Sequence, residues 1–304
     1  MQSTINFTIL IICSVLSSCD NNNTAKPIVV EEYHQIRVMS FNVLYSTTHQ
    51  STTTTIRESG ADIIGLQEIS VARMTEVAQQ LGYFYHSFGK TSANLSNQDT
   101  GILSRFKIVQ VYSNGVVVQV NKNLQVAIFT CHLSPYPYQP YDFRDGKIST
   151  PSQAVASASF RLDEIDPMLD ELEEARAKNI PVFITGDFNE PSHLDWTIET
   201  ANTGLHFGKA VAWPVSSAIV LDDWVDVWRL KMTSPLNFPG ITWTPFESAN
   251  EVYDRIDIIY QNPTPLLTLS DIRSVAGMQT AAGIKVSGYE SDHYAVIATY
   301  EIKP

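Results

Sequence analysis

The sequence predicts a single mixed α/β domain. Three observations carry that expectation. The chain has 304 residues, 44% of them apolar and only 17% charged, which is enough to bury one sizeable core, and neither an internal repeat nor a biased linker divides it. Short β-branched runs alternate with stretches whose apolar residues recur at helical spacing. A group of short strands in the middle of the chain reads as an antiparallel meander.

Taken in order, Ile36 to Val43 alternates apolar and polar residues as a half-buried strand does, with Asn42 at its end. The threonine-rich stretch Thr47 to Thr55 leads into a short helix, Ile56 to Ser59, stopped by Gly60. Ala61 to Glu68 is a second strand closed by an acid, and Glu68 is there either for solvation or for function. Val71, Met74, Val77, Ala78 and Leu81 mark a helix capped by Gly82. Tyr83 to Phe88 returns as a strand, where His86 is a packed or rim histidine. Asp99 to Arg105, Lys107 to Tyr112 and Gly115 to Val120 follow as the strands of the meander.

Leu124 to Leu133 is a strand that carries His132 near its end. The next segment, Ser134 to Arg144, has three prolines and four aromatics, which suits a stiff loop better than a ladder. It either shapes substrate choice, with Tyr141 and Arg144 as contacts, or packs as a lid without touching substrate. Pro151 to Lys178 is the longest helical pattern, with Pro167 expected to kink or divide it. Ile180 to Ile184 is a buried strand that runs into Thr185-Gly186-Asp187-Phe188-Asn189-Glu190-Pro191. Strand alternation would put Asp187 and Asn189 on one side. An Asx-rich turn is the alternative for this heptapeptide taken alone.

Asp222 to Arg229 reads as a short helix or turn. The loop Phe238 to Pro245, with Trp243 as a further candidate substrate contact, precedes a strand at Tyr253 to Tyr260. Asp257 lies among apolar neighbours there, a costly place for a carboxylate without a partner. Asp292 and His293 introduce the last strand, Tyr294 to Tyr300.

The N-terminus is read separately. Ile5 to Leu16 is too short to span a bilayer and reads as the apolar part of a signal, so residues 1–18 are assigned to a signal peptide. Leu16-Ser17-Ser18-Cys19 resembles the lipobox of a bacterial lipoprotein, although no Lys or Arg occurs in Met1 to Asn6. That resemblance implies a lipid on Cys19, a polar tether over 19–35 and a membrane-held, exported domain over 36–304. An ordinary secretory signal is the alternative. Of the three cysteines only Cys131 would remain beyond the lipid site, so no intramolecular disulfide is expected, and Cys131 reads as a small buried hydrophobe.

Asn42, Glu68, His132, Asp187, Asn189, Asp292 and His293 thus fall at the ends or starts of predicted strands. Ser-Phe-Asn, Leu-Gln-Glu, Thr-Cys-His-Leu, Gly-Asp-Phe-Asn, Thr-Trp, Arg-Ile-Asp and Ser-Asp-His follow one another in that order. Over residues 36 to 302 the chain resembles the endonuclease/exonuclease/phosphatase superfamily. The resemblance implies a four-layered α/β sandwich, two packed mixed sheets flanked by helices. It implies Glu68 as ligand of a divalent cation, Mg²⁺ or Mn²⁺, with Asn42 and Asp292 beside it. Asp187 would orient or deprotonate the attacking water, Asn189 would hold the phosphoryl group or nucleophile, and His132 and His293, the latter oriented by Asp257, would stabilise developing charge.

The formal charge of −12 and the lack of a dense Lys/Arg cluster disfavour nucleic acid, so a compact phosphate ester is the expected substrate: a lipid head group, an inositol phosphate or a nucleotide. A nonspecific nuclease is the alternative, and a non-catalytic surface binding protein on the same fold is the second.

Overall fold

The computed structural model describes residues 34–88, 100–278 and 283–303. The expected signal, Cys19 and nearly all of the tether lie outside these residues, as does Asp99.

In chain order the elements are β1 (His34–Asn42), α1 (His49–Ser59), β2 (Ile63–Gln67), α2 (Val71–Leu81), β3 (Phe84–Ser87), β4 (Gly101–Ser104), β5 (Lys107–Val111), β6 (Gly115–Asn121) and β7 (Leu124–His132). They continue with α3 (Gln139–Arg144), α4 (Pro151–Ala158), α5 (Phe160–Arg176), β8 (Val182–Asp187), α6 (Ile198–Asn202), α7 (Pro214–Leu221), β9 (Val225–Asp226), α8 (Val227–Lys231), β10 (Asp257–Gln261), β11 (Leu267–Ala276), β12 (Gly283–Lys285) and β13 (Ala295–Ile302). One sheet runs β12-β11-β13-β1-β2-β4-β3 and the other β5-β6-β7-β8-β10-β9. Both are mixed: β1 with β2 and β7 with β8 are parallel, whereas β13 with β1 and β10 with β8 are antiparallel.

Side-chain parity explains the layering. Val38, Ile63, Ile128, Phe183 and Ile259 project between the sheets into one core. Their neighbours Met39, Ile64, Ala127, Ile184 and Ile258 project the other way. On the first sheet's outer face they meet Ile56 of α1 and Met74 and Val77 of α2. On the second sheet's outer face they meet Ile165, Met168 and Leu172 of α5 and Ile219 of α7. Central strands buried on both faces read as continuous apolar runs, and the result is the four-layered sandwich. Cys131 is buried in the outer core of the second sheet.

The sheets approach each other closely at Gly65 of β2. A Cβ there would sit 1.9 Å from Thr185 Oγ1 and 2.9 Å from Thr130 Oγ1. Thr185 Oγ1 donates to Phe129 O, and Thr130 Oγ1 accepts from Gln67 Nε2, so neither hydroxyl is free to turn away.

The structure departs from the sequence reading in several places. The Thr47–Thr55 stretch belongs mostly to α1, which starts at His49 because Thr48 caps it by accepting from Ser51 N. β4 pairs with β2 and β3 in the first sheet, so the chain changes sheets at Arg105 and Phe106 and the meander is β5-β6-β7. The proline-rich segment contains α3, with Pro140 in its first turn, where a missing N–H costs nothing. The long helix divides at Ser159, whose hydroxyl donates to Ala156 O, and not at Pro167. Pro167 is exposed, and water can serve the carbonyl that its ring leaves unpaired. The strand expected from Tyr253 begins only at Asp257.

We expect Gly65→Ala to lower stability by about 1–3 kcal/mol through overpacking between the sheets. Urea denaturation would check this, and an unchanged midpoint would mean that the sheets can spread there.

Candidate active site

Strand register brings the candidate residues to one edge of the two sheets. β7 and β8 pair His132 with Asp187, and β10 pairs Asp257 with the same Asp187. Across the sandwich, β1 ends at Asn42 beside Gln67 of β2, and Glu68 follows with φ 59°. His293 stands two residues before β13, the antiparallel neighbour of β1. Ser291 Oγ donates to Asn42 O and accepts from His293 N, which ties that corner to β1.

The centre of the site is the Asp187 carboxylate. Its Oδ2 accepts from Asn42 Nδ2 at 2.9 Å and lies 3.6 Å from His132 Nε2 and 3.7 Å from His293 Nε2. His293 Nδ1 is 2.8 Å from Asp257 Oδ2, and Asp257 is fully buried. Thr242 Oγ1 accepts from the N–H groups of Ile256 and Asp257 and so holds the start of β10. Burial works against charge on His293, but the carboxylates of Asp257 and Asp187 outweigh it and hold the imidazolium up at about 10.

Glu68 Oε1 accepts from Asn42 Nδ2 at 3.1 Å and lies 3.9 Å from His132 Nε2, while Oε2 accepts from Tyr45 N. Arg73 of α2 donates to the carbonyls of Glu68, Leu44, Tyr45 and Thr47, fixing both loops behind that carboxylate. Asp292 Oδ1 is buried and has no hydrogen-bond partner among the described residues. Burial raises its carboxyl above the ordinary range, His293 opposes that, and Glu68 adds to it.

Glu68 and Asp187 thus meet at the Asn42 amide, and Asp292 feels the charge of both. An orphaned carboxylate oxygen in such a set fits a hard divalent cation. Ligand-capable atoms of Asp187, Asp257 and His293 also lie within 4.8 Å of one another. There the Asp257 to His293 hydrogen bond already engages two of the three.

Asn42 Oδ1 accepts from Leu44 N, and its amide nitrogen donates to the Glu68 and Asp187 carboxylates and so orients both. One expected placement is corrected. Asn189 does not share the face of Asp187 by strand alternation, because β8 ends at Asp187 and Asn189 is left-handed at φ 47°. Its N–H donates to Asp187 Oδ1 and its amide donates to Leu133 O, so it braces the two strand ends.

Trp243 lies against His293, with ring centroids 4.9 Å apart, and its indole donates to Tyr141 Oη. Arg144 stacks on the Tyr141 ring and donates to Asp145 and to Asn250 O, so its charge is engaged within the rim. Sequence reasoning missed Arg73, Thr242 and Ser291. The one signal for Arg73 was a cation on the apolar face of α2, while hydroxyls that serve backbone N–H groups leave no pattern.

An edge of two packed sheets that gathers paired carboxylates and histidines defines a metallohydrolase site. The sequence profile of the Endonuclease/Exonuclease/phosphatase family matches residues 39–293, and the chain belongs to that family. It is accordingly a metal-dependent hydrolase of phosphate ester bonds. An uncharacterized protein of Caenorhabditis elegans is 27% identical over 294 residues, covering 87% of this chain and 91% of that one. The fold is similar to D. rerio TDP2 complexed with single strand DNA product, with TM-score 0.55, 18% identity and coverage of 88% and 98% of the two chains. It is also similar to the human Nocturnin catalytic domain with bound sulfate anion, with TM-score 0.56, 16% identity and coverage of 88% and 95%.

Beside the site, Glu190 is buried, and only its Oε1 is served, by Val215 N. Burial raises its carboxyl from 4.5 to about 8, with the Val215 N–H and Arg161 opposing. The folded chain thus keeps a proton that the unfolded chain releases, so this group's contribution to stability falls as pH rises from about 4.5 to about 8. Glu190→Gln removes that dependence. Its urea midpoint should gain on wild type between pH 5 and pH 8, and a constant difference would contradict the assignment.

Proposed function

We propose that this chain is an exported phosphoesterase, held at a membrane through a lipid on Cys19, that hydrolyses a compact phosphate ester. The observation that carries the substrate reading is the charge balance of the rim. Arg144 pairs with Asp145, Lys147 pairs with Asp142 and Asp145, and the Glu251 carboxylate sits beside Trp243. Together with the net charge of −12, this rim favours a substrate with few phosphates over a long polyanion.

In this reading Glu68 and Asp292 hold Mg²⁺ or Mn²⁺, which supplies Lewis-acid polarisation of the ester. Asp187, held by Asn42 and Asn189, orients a water and takes its proton. His293 carries its own proton and cannot serve as that base while it does. It donates to the oxygens on which charge develops, and His132 donates from the opposite side of Asp187. Asp257 keeps the imidazolium charged and aimed.

A nuclease is the second reading, favoured by the likeness to D. rerio TDP2 solved with its DNA product. One panel separates the two: full-length chain in mild detergent with Mn²⁺ or Mg²⁺, offered sphingomyelin, an inositol phosphate, a nucleotide and plasmid DNA. We expect one compact ester to be cleaved, EDTA to abolish turnover, and Asp187→Ala and His293→Ala each to cost on the order of a hundredfold or more in kcat. Cleavage of plasmid DNA alone would replace the compact-ester reading with the nuclease. Fatty-acid labelling that persists in Cys19→Ala would refute the anchor.

A further inference from the structure

Glu251 belongs to none of the strand-end motifs, yet it is the point where two loops meet over the catalytic histidine. Its Oε1 accepts from Tyr141 Oη at 2.5 Å, from Trp243 Nε1 at 3.1 Å and from Val252 N at 2.9 Å. Trp243 Nε1 also donates to Tyr141 Oη at 3.1 Å, which closes a three-membered ring of carboxylate, phenol and indole. Tyr141 comes from the proline-rich segment and Glu251 from the stretch before β10. Arg144 strengthens the same seam, with its guanidinium 4.3 Å from the Tyr141 ring centroid and Nη1 donating to Asn250 O at 2.6 Å. On its far side the Trp243 ring rests on His293, tilted by 57°. Trp243 also pairs through its backbone with both Asp254 and His293.

We propose that Glu251 is a positioning residue for phosphate ester hydrolysis, acting through Trp243. It fixes the indole, and the indole braces the His293 ring and forms one wall of the phosphate site. Asp257 holds His293 from behind at Nδ1, and at Nε2 only the longer contacts to Asn42 Nδ2 at 3.5 Å and Asp187 Oδ2 at 3.7 Å resist a swing of the ring about that axis. Trp243 closes off the swing, and Glu251 and Tyr141 keep Trp243 from turning away. The proline-rich segment is thereby part of the catalytic wall, stapled to the 246–253 loop. The proposal rests on the reading of the His293 site as the catalytic centre.

Two readouts on full-length chain test it. The first is kcat and KM for bis(4-nitrophenyl) phosphate with Mn²⁺ in wild type, Glu251→Ala, Glu251→Gln and Tyr141→Phe. Glu251→Ala should lose on the order of ten- to a hundredfold in kcat with a smaller change in KM, because a displaced catalytic group costs rate. Glu251→Gln keeps an acceptor at Oε1 and should recover most of that loss. Tyr141→Phe should fall between them. The second readout is the emission assigned to Trp243 by subtraction of a Trp243→Phe spectrum. An indole held against an imidazolium is quenched, so Glu251→Ala should brighten it.

Unchanged kcat and unchanged Trp243 emission in Glu251→Ala would overturn the proposal. So would a Glu251→Gln variant as impaired as Glu251→Ala, since charge and not position would then matter. If Glu251→Ala fails to fold, the comparison of Glu251→Gln with Tyr141→Phe decides by the same two readouts. A wild type that leaves this diester intact sends the decision to fluorescence, and its failure there is distinguishable from failure of the catalytic reading.

Discussion

The hydrogen bond between Asp257 and His293, 2.8 Å long, is the interaction on which the site depends. Both partners are buried, and an isolated charge in either place would cost several kcal/mol. As a pair they hold an imidazolium where phosphate charge would develop, and they constrain much else. Asp257 must start β10 opposite Asp187, which Thr242 arranges by serving two backbone N–H groups. His293 must come off the turn before β13 at the height of Asn42, which Ser291 arranges. The pair therefore joins the second sheet to the first at the edge where the remaining site residues emerge.

That edge exists because the two sheets approach closely below it. Gly65 removes a side chain at a close approach of the sheets, and Thr130 and Thr185 fill the space with hydroxyls that hydrogen-bond across the strands. The apolar layer above and below keeps water away, which strengthens each charge interaction in the site. Asn42, His132 and Asp187 are positioned by strand ends and not by mobile loops, while the rim around Trp243 comes from loops braced against each other.

Much of the fold was legible because the central strands are buried on both faces. Ala61 to Glu68, Leu124 to Leu133 and Ile180 to Ile184 each stand out as apolar runs at or near a polar residue with a chemical use, whereas Ile36 to Val43 read as half-buried although the second half of β1 is buried on both faces. α2 was read to the residue, since the apolar spacing and Gly82 agree. Other parts carried misleading signals. The threonines of α1 disfavour helix locally, and a cap at Thr48 with burial of Thr52, Thr53 and Thr55 overrides that. The exposed Pro167 looked like a break because composition does not tell which side of a helix faces water. β11 and β12 have half-exposed patterns that went unread.

The gathering of the site followed from motif order, whereas the work of individual side chains did not. An asparagine at a strand end can offer an oxygen or a nitrogen, and only the Leu44 N–H decides that Asn42 offers nitrogen. Asn189 two residues past Asp187 reads as the same face until its backbone turns left-handed. Partners brought from far along the chain, such as Tyr141 for Glu251 and Ser291 for Asn42, leave no local trace.

The central claim is that Asp257 acts on hydrolysis only through His293. The direct measurement is a double-mutant cycle of kcat/KM for Asp257→Asn, His293→Gln and the double variant. The account predicts a loss on the order of a hundredfold for Asp257→Asn in the wild-type background and almost none in the His293→Gln background. Equal losses in both backgrounds would contradict it, because Asp257 would then serve the site by some route other than the histidine.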